Sequence, residues 1–105
     1  MTDYDKRQYA LMLECLSQFE LKRIDLKHLI IGLESLLCLL EEADAIWKAT
    51  YQSRWGVLEE VYADMLDRGY RDLPASHQEL VNQSVRDLKA MVESALKKNE
   101  PTGQP

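Results

Sequence analysis

Apolar residues recur at intervals of three and four positions in four separate stretches of this sequence. That spacing follows one face of an α-helix, so it predicts four amphipathic helices. We expect these helices at about 3–20, 26–41, 45–68 and 77–98. Because the connections between them are short, we predict an all-α fold, a compact antiparallel four-helix bundle. We expect residues 1–98 to form this single helical domain and residues 99–105 to be a disordered C-terminal tail.

Side chains that cap helices stand at the start of three of these stretches. Thr2 or Asp3 can cap the first helix, and Asp25 can cap the second. Asp44 can cap the third. We expect the chain to break just before it, because one unbroken helix over 26–68 would be unusually long for so small a domain.

Glycine and proline separate the third helix from the fourth. Gly69 is expected to end the third helix, because glycine takes the left-handed conformation of a C-cap without a steric penalty. Pro74 stops any continuation of that helix. Ser76 with Glu79 three positions later matches a capping box, which predicts that the fourth helix begins near residue 77.

The apolar stripes supply the candidate core. On the first and fourth helices the inward residues are predicted to be Leu11, Met12, Cys15, Leu16, Phe19, Leu80, Val81, Ser84, Val85, Leu88, Met91, Val92 and Ala95. On the second they are Leu26, Leu29, Ile30, Leu33, Leu36, Leu37 and Leu40, with Ile31 and Cys38 beside them. This second helix carries little charge, so we expect it to be the most buried of the four and packed on more than one side.

The third helix has two apolar rows. The first row is Trp47, Tyr51, Trp55, Leu58, Tyr62 and Met65, and the second is Ile46, Val57, Val61 and Met65. Gly56 lies within this helix, where a glycine costs about 1 kcal/mol relative to alanine. One explanation is the close approach of a neighbouring helix.

Acidic residues are concentrated in the middle of the chain. Residues 25–72 hold ten acids and five bases, which accounts for the whole formal net charge of −5. Such a field repels the phosphate backbone, so it disfavours direct nucleic-acid binding and favours a basic protein partner. The alternative is that mild acidity only keeps the domain soluble.

No pattern typical of an active site or a metal site is present. Cys15 and Cys38 are far apart and form no CxxC pair, so we expect reduced, buried thiols. His28 and His77 are the only histidines, and both are expected on the surface. Neither Glu-x-x-His, Gly-x-Ser-x-Gly nor a glycine-rich phosphate loop occurs, so we expect no enzyme, no metal and no cofactor. With no long apolar run and no signal segment, we expect a cytoplasmic protein.

Aromatic residues cluster on the third helix and just after it. Both tryptophans and three of the five tyrosines fall within 24 residues, namely Trp47, Tyr51, Trp55, Tyr62 and Tyr70. They could all be core residues. One edge of the stripe could instead reach the surface beside the acids, where aromatics supply binding energy and charges steer association.

Residues 33–69, LESLLCLLEEADAIWKATYQSRWGVLEEVYADMLDRG, resemble small helical bacterial immunity proteins of polymorphic-toxin and contact-dependent growth inhibition systems. The shared features are the leucine-rich helix, the acidic junction before Trp47-Lys48, the pair Arg54-Trp55 followed by Leu58-Glu59-Glu60, and the segment Leu66-Asp67-Arg68-Gly69 at the helix end. The sequence departs from this pattern at Gly56, where a bulkier residue is expected. The resemblance implies a protein that binds a cognate toxin, commonly a nuclease with a basic cleft, and covers its active site.

We therefore predict an immunity protein that neutralises a cognate secreted toxin with an acidic helical surface. The candidate binding residues are Glu41, Glu42, Asp44, Lys48, Tyr51, Glu59, Glu60, Asp64 and Asp67. We expect a basic toxin as partner, no nucleic acid, no membrane, and a monomer or weak dimer when the protein is alone. One alternative is a regulatory or scaffold bundle that self-associates through the second helix. Another is a small enzyme or ligand-binding bundle with a pocket at Trp47, Trp55 and Tyr62.

Overall fold

The computed structural model describes residues 1–98 as four α-helices joined by short connections. They are α1 (Asp3–Glu20), α2 (Leu26–Leu39), α3 (Ala45–Arg68) and α4 (Ala75–Lys98). α1 and α3 each pack against both α2 and α4, so α1 lies diagonally across the core from α3. This arrangement confirms the predicted antiparallel four-helix bundle. The predicted tail, 99–105, lies outside the described residues.

Most of the predicted helix ends are confirmed. Thr2, Asp25 and Asp44 accept backbone N–H groups from the first turns of α1, α2 and α3 at distances of 2.9 to 3.1 Å. α2 ends two residues earlier than predicted. The chain is extended at Leu40, which confirms the break between α2 and α3. Gly69 ends α3 in the left-handed conformation, with φ 69° and ψ 25°.

The start of α4 differs from the prediction. α4 begins at Ala75, and the carbonyl of Pro74 accepts the N–H of Gln78 at 2.9 Å. Ser76 therefore lies inside the first turn, and its hydroxyl is 3.4 Å from the Nδ1 of His77. The predicted capping box is wrong, because proline can stand directly before a helix, where the missing N–H removes no intrahelical bond.

The core lies where the four stripes meet. Its buried apolar residues are Tyr9, Met12, Leu16, Leu26, Leu29, Ile30, Leu33, Leu37, Leu40, Tyr51, Leu58, Val61, Val81, Val85, Leu88 and Val92. Leu11 and Leu80 were predicted to face inward, but each is about half exposed. Each precedes a core residue by one position, which turns it about 100° around its helix. Ile46, predicted in the second row of α3, is exposed as well, because it lies in the first turn at the end of the bundle.

α2 packs against α1 and α3, but its outer side is uncovered. Ile31, Cys38 and Leu39 are all exposed there. The predicted burial of Cys38 is therefore wrong, whereas Cys15 is half-buried, and both thiols are free. In a four-helix bundle each helix has only two close neighbours, so even the most apolar helix keeps one face toward solvent.

The close approach between helices occurs at a different glycine from the one expected. A Cβ added to Gly56 would meet no atom within 4 Å, so the explanation offered for that glycine is wrong. A Cβ added to Gly32 of α2 would lie 3.0 Å from the Sγ of Cys15 in α1. Gly32 therefore lets α1 and α2 pack closely, and nothing in the structure explains Gly56.

Candidate partner-binding surface

The acids predicted to form one surface fall into two groups. The junction group, Glu41, Glu42 and Asp44, lies between α2 and α3. The outer group, Glu59, Glu60, Asp64 and Asp67, lies on the second half of α3. Residues 45–58 contain no acid, and the rise of about 1.5 Å per residue places Asp44 about 22 Å from Glu59 along the helix. The single acidic face expected for residues 41–67 is thus divided.

The outer group covers one broad side of α3, because Asp64 follows Glu60 by four positions and precedes Asp67 by three. Glu60 and Asp67, seven positions apart, share one side of the helix, while Glu59 is turned about 100° from Glu60. Asp64 faces α4 and is paired, because its carboxylate accepts the Nε of Arg68 at 2.8 Å and contacts the Nε2 of His77 at 2.7 Å. The ion pair of Asp64 with Arg68 reduces the net negative charge of the outer group.

The pairing of Asp64 lowers its pKa and links His77 of α4 to α3. The hydrogen bonds from Arg68 and then from His77 lower the pKa of Asp64, because both stabilise the ionised carboxylate. His77 was predicted to be solvated, but its side chain is mostly buried against α3. His28 is exposed, as predicted, and pairs with Asp25 at the start of α2.

The junction group is fixed in place by a residue that the sequence did not single out. Asp5 of α1 is only 1% exposed. Its carboxylate accepts the backbone N–H groups of Glu41 at 3.0 Å and Glu42 at 2.9 Å. The glutamate side chains themselves point into solvent. A signal was present, because Asp5 precedes Tyr9 and Met12 by four and seven positions and so lies on the buried stripe of α1.

An apolar and aromatic patch adjoins the junction group. Ile46 is 77% exposed, which is the largest exposed fraction among the large apolar residues of the described chain. The half-buried ring of Trp47 stacks on Tyr51, with ring centroids 5.2 Å apart. The same ring meets Tyr9 edge to face at 5.4 Å. These contacts hold Trp47 in one orientation at the surface.

Tyr51 is not available to a partner, although it was predicted as a binding residue. It is fully buried, and its hydroxyl donates to the carbonyl of Leu33 at 3.5 Å. Burial raises its pKa well above the usual range. Tyr51 follows Trp47 by four positions, so it shares the inward side of α3 but lies one turn deeper in the bundle. Lys48, another predicted binding residue, is half-buried.

A groove of about 600 Å³ runs between the start of α1, the α2–α3 junction and the last turns of α4. Tyr9, Ile46, Trp47 and Met91 supply apolar walls. The acids on its lining are Asp5, Glu42 and Asp44. The groove thus combines an exposed aliphatic side chain, a fixed tryptophan and carboxylates, and we call Glu41, Glu42, Asp44, Ile46 and Trp47 the junction surface.

The three aromatic rings proposed for a small-molecule pocket do not share one groove. Trp47 lines the groove at the junction. Trp55 instead donates its Nε1 hydrogen to the backbone carbonyl of Ile30 at 2.9 Å, which links α3 to α2. Tyr62 packs against the core. The pocket predicted for an enzyme or ligand-binding bundle is therefore not formed by these rings.

Metal binding, membrane spanning and thiol reactivity can each be checked against the described residues. Within residues 1–98, no three His, Cys, Asp or Glu side chains are placed to hold a metal ion. None of the four helices is both long and apolar enough to cross a membrane. Burial raises the pKa of Cys15, which disfavours the reactive thiolate.

Comparison of the chain with models of known protein families, with curated proteins and with solved structures finds no match.

Proposed function

We propose that this protein is a cytoplasmic, non-enzymatic immunity protein that neutralises a basic, nuclease-type toxin by covering its active site. The resemblance of residues 33–69 supports the class of protein. The junction surface supports the mode of binding. The outer group lies about 22 Å away along α3, which is too far for it to contribute to the centre of the same interface. We therefore place the binding residues at the α2–α3 junction and the first turn of α3, and not over the whole of 41–67.

The observation that carries this proposal is the exposure of Ile46 beside Trp47, on a groove that the carboxylates of Glu42 and Asp44 also line. A large aliphatic side chain that is 77% exposed gains little from its own fold and gains most when a partner covers it. Interfaces typically place apolar and aromatic anchors at their centre and polar groups at their rim. Ile46 and Trp47 would be the anchors, and the junction group would be the rim.

The junction surface is also fixed before any partner binds. Asp5 holds the backbone of Glu41 and Glu42, and Asp44 accepts the N–H groups of Ile46 and Trp47 at 3.1 Å. A surface that is already ordered loses less conformational entropy on binding. This rigidity favours tight binding of the kind that an inhibitor of a toxin needs.

Charge would guide the partner to this surface. Among the described side chains, those of residues 1–97, the carboxylates of Glu41, Glu42 and Asp44 form no ion pair with a lysine or arginine. The exposed carboxylates of Glu41 and Glu42 are therefore free to face cations of a phosphate-binding cleft, where they would stand in for the phosphates of its substrate, and Asp44 adds its charge while it caps α3.

Binding to the protein encoded beside this one tests the proposal. We expect the two proteins to purify together and the neighbour's toxic activity to be inhibited. Replacing Ile46 with alanine should weaken binding at least about tenfold, since a buried anchor contributes more than about 1.4 kcal/mol. Replacing Ile31, which is 52% exposed on α2, is the matched control and should change nothing. A neighbour that is not a toxin, or equal effects of the two variants, would refute the proposal.

Self-association is a second candidate function, and the outer side of α2 favours it. Ile31 and Leu39 are exposed there, and a second copy could cover them. Sedimentation at micromolar concentration decides between the two functions. A dimer that the Ile31→Asp change dissociates supports self-association, and a monomer excludes it.

A further inference from the structure

A second and larger recess lies at the opposite end of the bundle. It is formed by the α1–α2 connection (residues 21–25), the α3–α4 connection (residues 69–74) and the first turns of α4. We call this recess, which has a volume of about 920 Å³, the basic cleft. Four cationic side chains line it: Lys22, Arg23, Arg71 and Arg86. Such a concentration of positive charge is unexpected in a chain whose net charge is −5.

Three carboxylates on the lining, those of Glu20, Asp25 and Asp72, offset these cations only in part. Glu20 accepts the Nζ of Lys89 at 2.9 Å, and Asp25 is bound to the first turn of α2. Asp72 is the remaining acid on the lining. Within residues 1–98, none of the four cations forms an ion pair with a carboxylate. With four cations and three carboxylates, the lining keeps a net charge of +1, and its cations, which form no ion pair, can hold an anion.

Lys22 occupies a backbone position that favours glycine. Its φ is 62°, in the left-handed region. Its N–H donates to the carbonyl of Phe19 at 3.0 Å, and the N–H of Arg23 donates to that of Gln18 at 2.9 Å. These two bonds form a Schellman motif that ends α1, in which glycine is the usual residue. A lysine here costs stability but places a cation at the cleft, and the turn that presents it is ordered.

The lining also suits the uncharged part of a ligand. Phe19, Met65 and Leu73 contribute apolar surface, and Gln78 and Asn82 contribute amide groups. The volume falls in the range of sites for small molecules, about 300 to 1,000 Å³. Guanidinium groups match phosphate oxygens in paired hydrogen bonds. A long polyanion fits less well, because the carboxylates of Asp25 and Asp72 on the lining would repel its further phosphates.

We propose that the basic cleft binds a phosphorylated small molecule, with its phosphate held by Arg23, Arg71 and Arg86 and its apolar or aromatic part against Phe19, Met65 and Leu73. This site is independent of the junction surface. The 24 residues of α3 span about 36 Å between the two ends, so either proposal can fail without the other.

Calorimetric titration tests this proposal with three probes: ADP, pyrophosphate and uncharged adenosine. We expect ADP to bind, pyrophosphate to compete with it, and adenosine to bind at least about tenfold more weakly than ADP. Arg71→Gln should weaken ADP binding at least about tenfold, because it removes a charged hydrogen-bond donor. Arg7→Gln removes an exposed arginine of α1 that is not on the cleft, and it should leave binding unchanged.

Lys22→Gly separates a ligand role from a structural one. We expect this variant to melt at a higher temperature without ligand and to bind ADP more weakly, since it relieves the backbone while removing a cation. Absence of ADP and pyrophosphate binding at about 1 mM would overturn the proposal. So would equal losses in Arg71→Gln and Arg7→Gln, or tight binding of a glutamate-rich peptide in place of the phosphates.

Discussion

The carboxylate of Asp5 accepts the backbone N–H of Glu42 at 2.9 Å, across 37 positions of the chain. With the matching bond to Glu41, it joins the first turn of α1 to the junction that enters α3. Backbone N–H groups at such a junction have no helical partner, and an unsatisfied buried donor costs about 1 to 3 kcal/mol. Asp5 therefore stabilises the fold and orders the proposed binding surface at the same time.

Removing the Asp5 carboxylate should destabilise the protein. We expect Asp5→Ala to lower the free energy of unfolding by about 2 to 4 kcal/mol, because two backbone donors lose their acceptor. Asp5→Asn keeps one acceptor and should lose less. Urea unfolding measures both. Asp3→Ala is the control, since Asp3 is an exposed acid of the same turn, and it should cost less than about 1 kcal/mol. Equal losses for Asp3 and Asp5 would contradict the assignment.

Alanine at the two helical glycines should have opposite consequences. Gly56→Ala meets no neighbour, so we expect the helix to gain about 0.5 to 1 kcal/mol of stability. Gly32→Ala sets a Cβ 3.0 Å from the Sγ of Cys15, so the same gain is offset by crowding between α1 and α2. We expect it to be at least about 1 kcal/mol less stable than Gly56→Ala.

A double-mutant cycle identifies the cause of that difference. Cys15→Ala removes the sulfur atom that the new methyl group would meet, so Gly32→Ala should cost less in that background. Thermal unfolding of the four proteins gives the coupling energy. Additive effects of the two changes would show that Cys15 is not the limiting contact.

Tyr51 should matter for stability and not for binding. Its hydroxyl bond to Leu33 is long, at 3.5 Å, so Tyr51→Phe is expected to cost less than about 1 kcal/mol. Tyr51→Ala leaves a cavity among core residues and should cost about 3 to 5 kcal/mol. Chemical denaturation measures both variants. A Tyr51→Phe protein that folds normally yet loses affinity for its partner would mean that the hydroxyl contributes to the interface.

The Asp64 pair predicts a pH dependence of stability. Because Arg68 and His77 lower the pKa of Asp64 in the folded state, its contribution is fully present above the unfolded pKa of about 3.9. That contribution is lost as the pH falls through the lower, folded pKa. The stability difference between the wild type and Asp64→Asn should therefore shrink below about pH 4. Asp67→Asn, on the same helix, is the control, and a similar pH profile for both variants would contradict the pairing.

The fold could be predicted from the sequence because its signals are local. Asp25 and Asp44 cap helices within three residues of themselves, and Gly69 ends α3 through its own conformation. The start of α4 was misplaced where two local signals competed, Pro74 against Ser76. Leu11 is about half exposed, although its position in the apolar stripe predicts burial. Periodicity locates the centre of a stripe, whereas the neighbouring helices determine which residues at its edge are covered.

The candidate site could be predicted only in part, because it depends on contacts between distant residues. The acids at Glu41 and Glu42 were identified, but their link to Asp5 joins two different helices. The aromatic row of α3 was identified as well, yet its spacing does not show that Tyr51 is buried while Ile46 is exposed. Lys22 had no signal in the sequence, since only the backbone shows its left-handed conformation.

The dependence of the association rate on salt tests the central claim, that a basic partner docks on the junction surface. The measurement compares the wild type with two double variants as each binds the toxin encoded beside this protein. The junction variant replaces both Glu41 and Glu42 with glutamine. The α3 variant replaces both Glu59 and Glu60 with glutamine. Charge steering predicts that the wild-type rate falls at least about tenfold as salt rises, and that the junction variant loses most of this dependence while the α3 variant keeps it. A rate that does not change with salt, or equal losses in the two variants, would contradict the claim.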